Sequence, residues 1–194
     1  MKVVLFNGSS RRKGVTDAAL NIVMKELESE GIDVELIWLG LDKLSGCNAC
    51  YECSRTNDKK CVIQTDKMNE YIEKIIEADG VIIGSPTFFA NVSSRTKALI
   101  DRAGLVGLAN GYMYKHKVGA AVIAERRAGA VHAFSSINYF FLINQMHVIG
   151  SNYWNLGINP NIGDPNDFEN DSEGIETFKV LGKNMAYVLK KLKS

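Results

Sequence analysis

Lys2-Val3-Val4-Leu5-Phe6-Asn7-Gly8, followed by Ser9-Ser10-Arg11-Arg12-Lys13-Gly14-Val15-Thr16, sets the pattern on which the 194-residue chain is built. A short β-branched apolar run stops at a glycine and reads as a strand buried on both faces. A polar loop follows, and Thr16 or Asp17 stands where a helix cap is needed. Beyond it Ala18, Leu20, Ile22, Val23, Met24 and Leu27 form an apolar stripe that Gly31 ends.

The same alternation continues outward. Strands are expected over 32–39, 79–84, 117–124 and 147–153. Helices are expected through Met68–Ile76, Leu99–Ala103, Phe134–Leu142 and Glu173–Leu192. Residues 155–171, rich in Asn, Gly, Pro and Asp, read as a long loop. Five strands alternating with helices predict an α/β, flavodoxin-like three-layer fold, with a five-stranded parallel sheet in the order 2-1-3-4-5. Ligands of such a sheet bind beyond the carboxyl ends of strands 1 and 3. With no linker or repeat, the chain is read as a single domain over 1–194, with a cysteine-bearing loop at 46–61.

Composition sets further bounds. Hydrophobic residues make up 46% and charged residues 23%, and the formal net charge is +1. That balance offers no electrostatic footprint for nucleic acid or an anionic membrane. The apolar run near the amino end is too short for a signal-peptide core or a membrane span. A cytoplasmic protein is therefore expected, in which four cysteines are not structural disulfides.

The first loop suits a phosphate monoester. A helix start offers free N–H groups and a favourable dipole, Ser9, Ser10 and Thr16 add hydroxyls, and Arg11 adds forked donors. The loop has neither a Walker A pattern nor G-x-G-x-x-G. A plain polar turn with surface bases is the alternative. The loop after the third strand is Ser85-Pro86-Thr87-Phe88-Phe89-Ala90-Asn91-Val92-Ser93. Two exposed aromatics there suit a flat ring, and backbone N–H groups from Thr87 to Val92 are placed to serve its polar edge. The alternative is packing under the loop or against another subunit.

Taken together, these segments resemble the NADPH-dependent FMN reductase superfamily. Gly8-Ser9-Ser10-Arg11 to Thr16 is similar to its G-S-P-R-x-x-x-x-T loop, with Ser10 in place of Pro. Ser85-Pro86-Thr87-Phe88-Phe89 is similar to its S-P-x-Y-F loop, and Lys97-Ala98-Leu99-Ile100-Asp101-Arg102 to its K-A-h-h-D-R helix, where h is hydrophobic. The third loop departs: Arg126-Arg127-Ala128-Gly129-Ala130-Val131 lacks the family's Gln-Glu pair. The resemblance implies non-covalent FMN, its phosphate at Ser9, Ser10, Arg11, Val15 and Thr16. The ring is implied at Pro86, Thr87, Phe88, Phe89, Asn91 and Val92. A homodimer or homotetramer is implied as well, with aromatics at Phe88-Phe89 and Tyr112–Tyr114 expected near the ligand face.

All four cysteines fall in one segment, as Cys47-x2-Cys50-x2-Cys53-x7-Cys61. Four thiolates so crowded suit an iron–sulfur cluster. Zinc, which favours separated C-x2-C pairs, and unligated thiols remain the alternatives. Within the superfamily the spacing resembles the iron–sulfur flavoproteins. Their likeness implies a 4Fe–4S cluster on Cys47, Cys50, Cys53 and Cys61. Electrons would come from a low-potential, ferredoxin-like donor, pass to FMN, and go on to a small-molecule acceptor. A cluster-free NAD(P)H-dependent FMN or quinone reductase, and an FMN-binding module with structural zinc, are the competing readings. No serine–histidine or His-Glu-x-x-His arrangement points to hydrolysis.

Overall fold

The computed structural model describes residues 1–161 and 165–193. Its strands are β1 (Lys2–Asn7), β2 (Asp33–Trp38), β3 (Gly80–Pro86), β4 (Val118–Glu125), β5 (His147–Val148) and β6 (Leu156–Ile158). Its helices are α1 (Val15–Ser29), α2 (Glu52–Thr56), α3 (Met68–Glu77), α4 (Ser94–Ala109), α5 (Ala130–Ile143) and α6 (Ser172–Lys193), with a 3-10 turn at Pro165–Asn170. All strand pairs are parallel, in the order β2-β1-β3-β4-β5, with β6 also on β4.

The central strands read as continuous apolar runs because both faces are covered. Val4, Phe6, Val81 and Ile83 pack toward the layer that contains α3, α4 and α5. Val3, Leu5, Ile82 and Val122 pack toward the layer of α1 and α6. This is the flavodoxin-like architecture that the alternation predicts.

Three local expectations are corrected. The fifth strand stops after two residues, and the sheet resumes as β6 inside the segment read as a loop. Lys117–Gly119 holds β5, and Ile123–Glu125 holds β6, so β4 carries two short partners in place of one long one. The α1 N-cap is Gly14, and neither Thr16 nor Asp17 caps it. The Tyr112–Tyr114 segment leads into the amino end of β4 and therefore lies at the edge opposite the ligand face. Tyr114 is wholly buried there, so it offers nothing to a flavin or a neighbouring subunit.

Among the described residues, no helix is long and apolar enough to cross a membrane.

Candidate functional site: a flavin cleft and a cysteine pocket

The carboxyl ends of β1, β3 and β4 feed three loops that converge on a cleft of about 250 Å3. Close backbone approach builds it. Gly8 N–H donates to Gly84 O at 2.8 Å, and a Cβ on Gly8 would stand 1.9 Å from Thr96 Oγ1. Gly129, at φ +98°, lets the third loop meet the second, because a Cβ there would stand 2.7 Å from Ala90 Cα.

Ser9, Ser10, Arg11, Val15 and Thr16 all line the cleft from the first loop. Asn7 Oδ1 accepts the Ser9 N–H (3.0 Å), and Asp17 Oδ1 accepts from the Asn7 amide (3.0 Å), so a carboxylate below the loop orients the residue that shapes it. Burial pushes the Asp17 carboxyl above its ordinary value, against the pull of Asn7 and Asn21. No side chain caps α1. The N–H groups of Val15, Thr16 and Asp17 precede the first intrahelical bond, from Ala18 N–H to Gly14 O, and so have no acceptor within the helix.

Pro86, Thr87 and Phe88 line the facing wall; Phe89, Asn91 and Val92 do not. Phe88 is half exposed and Phe89 fully so. Most N–H groups expected to face a ring are already engaged. Thr87 donates to Ala124 O, Phe88 and Asn91 bond each other, and Val92 donates to Asn91 Oδ1. Val92 itself is buried. The N–H groups of Phe89 and Ala90 are left, on residues held at φ +48° and +59°.

Residue-by-residue reading missed several neighbours. Trp38 donates its indole N–H to Ser9 O (2.8 Å) and lies under the Arg12 guanidinium, 5.7 Å from the ring centroid. Arg95 donates to Ser10 Oγ (3.0 Å). Asn159 and Asn161, beyond β6, complete the cleft wall beside Glu125 and Arg126. A tryptophan closing a strand beside a polar loop was the available signal for Trp38. The asparagines had none, since their segment gave no periodicity.

The cysteines form a second, narrower pocket that shares no lining residue with the cleft. All four line it, with Val62, Ile63, Leu105 and Val106 as apolar walls. The thiols are free: Cys47 and Cys50 are exposed, Cys61 is half-buried and Cys53 is buried. Ala49 and Tyr51 adopt left-handed φ values, at a cost of order 1–3 kcal/mol each. The first of these turns its N–H onto Cys47 Sγ (3.4 Å). Burial pushes the Cys53 thiol up, and the nearby Cys61 and Cys47 sulfurs add to the rise. Among the described residues, no three His, Cys, Asp or Glu side chains are gathered to hold one metal ion.

The segment is fastened from outside. Asn69 receives the Cys61 N–H (2.8 Å) and donates to Cys61 O (2.9 Å). Asn110 receives the Lys59 N–H (2.8 Å) and donates to Cys53 O (3.4 Å). Arg102, part of the helix motif noted in the sequence, donates Nε–H to Cys61 Sγ (3.3 Å) and pairs with Asp66.

The family model described as NADPH-dependent FMN reductase matches residues 1–160. The chain belongs to the NADPH-dependent FMN reductase family. Within this family it stands with the iron–sulfur flavoproteins. It is 36% identical to one from Methanocaldococcus jannaschii, covering 100% of both chains, and 31% identical to one from Methanosarcina thermophila, covering 97% of this chain and 95% of that one. Solved structures share the fold at low identity. An NAD(P)H:quinone oxidoreductase from Methanothermobacter marburgensis aligns with TM-score 0.70 at 14% identity, over 95% of this chain and 96% of that one. An archaeal flavodoxin aligns with TM-score 0.61 at 18% identity, over 98% and 99%. As a member of the FMN reductase family the protein is a flavin-dependent oxidoreductase, with FMN the cofactor the family supports. The cleft fits that group on two counts: the uncapped start of α1, and the buried Thr87 hydroxyl oxygen, which has no partner.

Proposed function

We propose that the protein is an iron–sulfur flavoprotein that moves electrons from a low-potential, ferredoxin-like donor through a 4Fe–4S cluster to FMN, and on to a small acceptor. The observation that carries this reading is that Cys47, Cys50, Cys53 and Cys61 all line one pocket, although no three of them are gathered on a single point. Four thiols with apolar walls and a guanidinium match the donor set of a cluster, which takes one thiolate at each of four irons. The relatives named as iron–sulfur flavoproteins support it.

The first loop would hold the FMN phosphate, through the Ser9, Ser10 and Thr16 hydroxyls, Arg11 and the N–H groups at Val15 and Thr16. Pro86, Thr87 and Phe88 would flank the ring, and the Phe89 and Ala90 N–H groups are the donors left for its edge. Asn91 and Val92 then act by shaping the loop. Bound FMN supplies the conversion between single electrons and electron pairs. The two sites share no lining residue, which favours a homodimer or homotetramer in which subunits share the transfer, in the cytoplasm.

The test is anaerobic purification followed by iron, sulfide and flavin analysis. Four irons and four sulfides per chain beside one FMN are expected, with the flavin reduced by ferredoxin faster than by NAD(P)H. Flavin without iron, reduced directly by NAD(P)H, would replace this reading with the cluster-free reductase. Zinc in place of iron would replace it with the FMN-binding module.

A further inference from the structure

The largest fully buried side chain among the described residues is a cation, Arg102. It projects from α4 beneath the cysteine segment with each of its nitrogens engaged. Nε donates to Cys61 Sγ (3.3 Å) and Nη2 to Ile63 O (3.0 Å). Nη1 donates to Asp66 and to both oxygens of Ser45 (3.3 Å each). These partners run from residue 45 to 66, so one side chain ties together both ends of the segment that carries the four cysteines.

Stability alone is a poor reason for this arrangement. Burying a guanidinium and a carboxylate costs about as much as their attraction returns, and an apolar pair of similar volume often does as well. Burial opposes the Arg102 charge, and Asp66 and Cys61 more than offset that opposition. The sulfur contact is what ion pairing leaves unexplained. A lysine would serve Asp66, but only a planar fork reaches Asp66, the backbone and a sulfur together. The sulfur it reaches belongs to the cysteine separated from the other three by the longest gap.

We infer that Arg102 is a positioning residue for the cluster. It holds Cys61 in place before iron arrives, and its Nε–H bond to that sulfur favours the reduced, more negative state. The inference rests on the proposed cluster. The added electron comes from the ferredoxin-like donor, and Arg102 keeps its proton throughout. Hydrogen bonds to ligand sulfurs are among the determinants of cluster potential, and groups that orient ligands typically change metal affinity by about 10- to 100-fold when removed.

Two variants separate this role from a purely structural one. Arg102→Lys keeps a charge beside Asp66 and gives up the fork. The double variant Arg102→Met, Asp66→Asn removes the ion pair and leaves no buried charge. Each is compared with the parent for iron uptake at limiting iron, cluster midpoint potential, FMN affinity and thermal unfolding. Hydrogen exchange over residues 45–66 is followed in the iron-free protein. Both variants are expected to bind FMN as the parent does. Their iron affinity should fall by about tenfold or more, their potentials should move to more negative values, and exchange over 45–66 should quicken. A folded Arg102→Lys protein with parental potential and iron affinity would overturn the inference. A double variant that regains parental thermal stability yet keeps the shifted potential would support the sulfur bond over the ion pair. Parent protein free of iron and sulfide would defeat the cluster reading itself, before any variant is compared.

Discussion

The flavin cleft and the cysteine pocket are built by different means. The cleft is fastened largely by the main chain, with Asn7, Trp38 and Arg95 adding side-chain bonds to its first loop. Leu39 N–H meets Asn7 O (2.9 Å), Thr87 N–H meets Ala124 O (2.9 Å), and Asn159 N–H meets Glu125 O (2.8 Å), each a bond from a loop onto the end of a strand. The cysteine segment has only a five-residue helix of its own, and hangs on the side chains of Arg102, Asp66, Asn69 and Asn110. A site made by sheet topology tolerates most side-chain changes outside its direct contacts. A site pinned by four side chains is exposed to single substitutions at residues that touch no cofactor.

The largest separation of the two sites is expected from Cys50→Ala, which should remove all cluster iron and its absorbance while FMN stays bound. Metal analysis beside a visible spectrum reads both at once, and loss of flavin together with iron would mean that the sites are one unit. Gly8→Ala attacks the cleft where an added Cβ would stand 1.9 Å from Thr96 Oγ1. The added methyl must displace Thr96 or the loop, at about 1–3 kcal/mol, and FMN affinity should fall by roughly 5- to 150-fold with iron content unchanged. Asn69→Ala removes two hydrogen bonds from Cys61, worth together about 1–3 kcal/mol. Thermal unfolding and iron retention should both drop, and unchanged iron retention would show that Asn69 is dispensable to the pocket.

Arg11→Ala is a milder change, because Arg11 is exposed and its charge is screened. About 1 kcal/mol is expected, roughly a fivefold weaker FMN affinity by titration, diminishing further as salt is added. The smallest effect near neutral pH belongs to Asp66. Burial works against its charge, but Arg102 and the N–H groups of Ser45 and Met68 hold its carboxyl below the ordinary 3.8. Its contribution is therefore complete above that value and is lost as pH falls through the depressed one. Thermal unfolding of iron-free protein should show acid sensitivity below about pH 4 that Asp66→Asn lacks.

Much of this architecture could be read from the chain. Buried parallel strands are apolar through most of their length, so β1, β3 and β4 stand out, and the order of the sheet follows from their alternation with helices. The cysteine spacing pointed to one shared pocket because four residues so close in sequence have little chain between them to separate them. What escaped was long-range. The target of the Trp38 indole lies 29 positions earlier, and the partners of Arg102 lie 36 to 57 positions earlier. β6 has three residues, too few for any periodicity to register, and it sits in a stretch whose Asn, Gly and Pro content argues for a loop. The buried Tyr114 is different: residues that precede a strand lie at its amino end, so the topology already placed it away from the ligand.

The division of β4's partners between β5 and β6 bears on how the protein behaves when crowded. A long exposed strand edge invites another chain to add to it. Here that flank of the sheet ends in segments of two and three residues, offset from one another, and gives an incoming strand no continuous row of groups to pair with. The opposite flank is β2, six residues long, where Glu35 is held by Lys2 and Lys74. One border is broken and the other is charged, so strand-to-strand aggregation finds little purchase on either side.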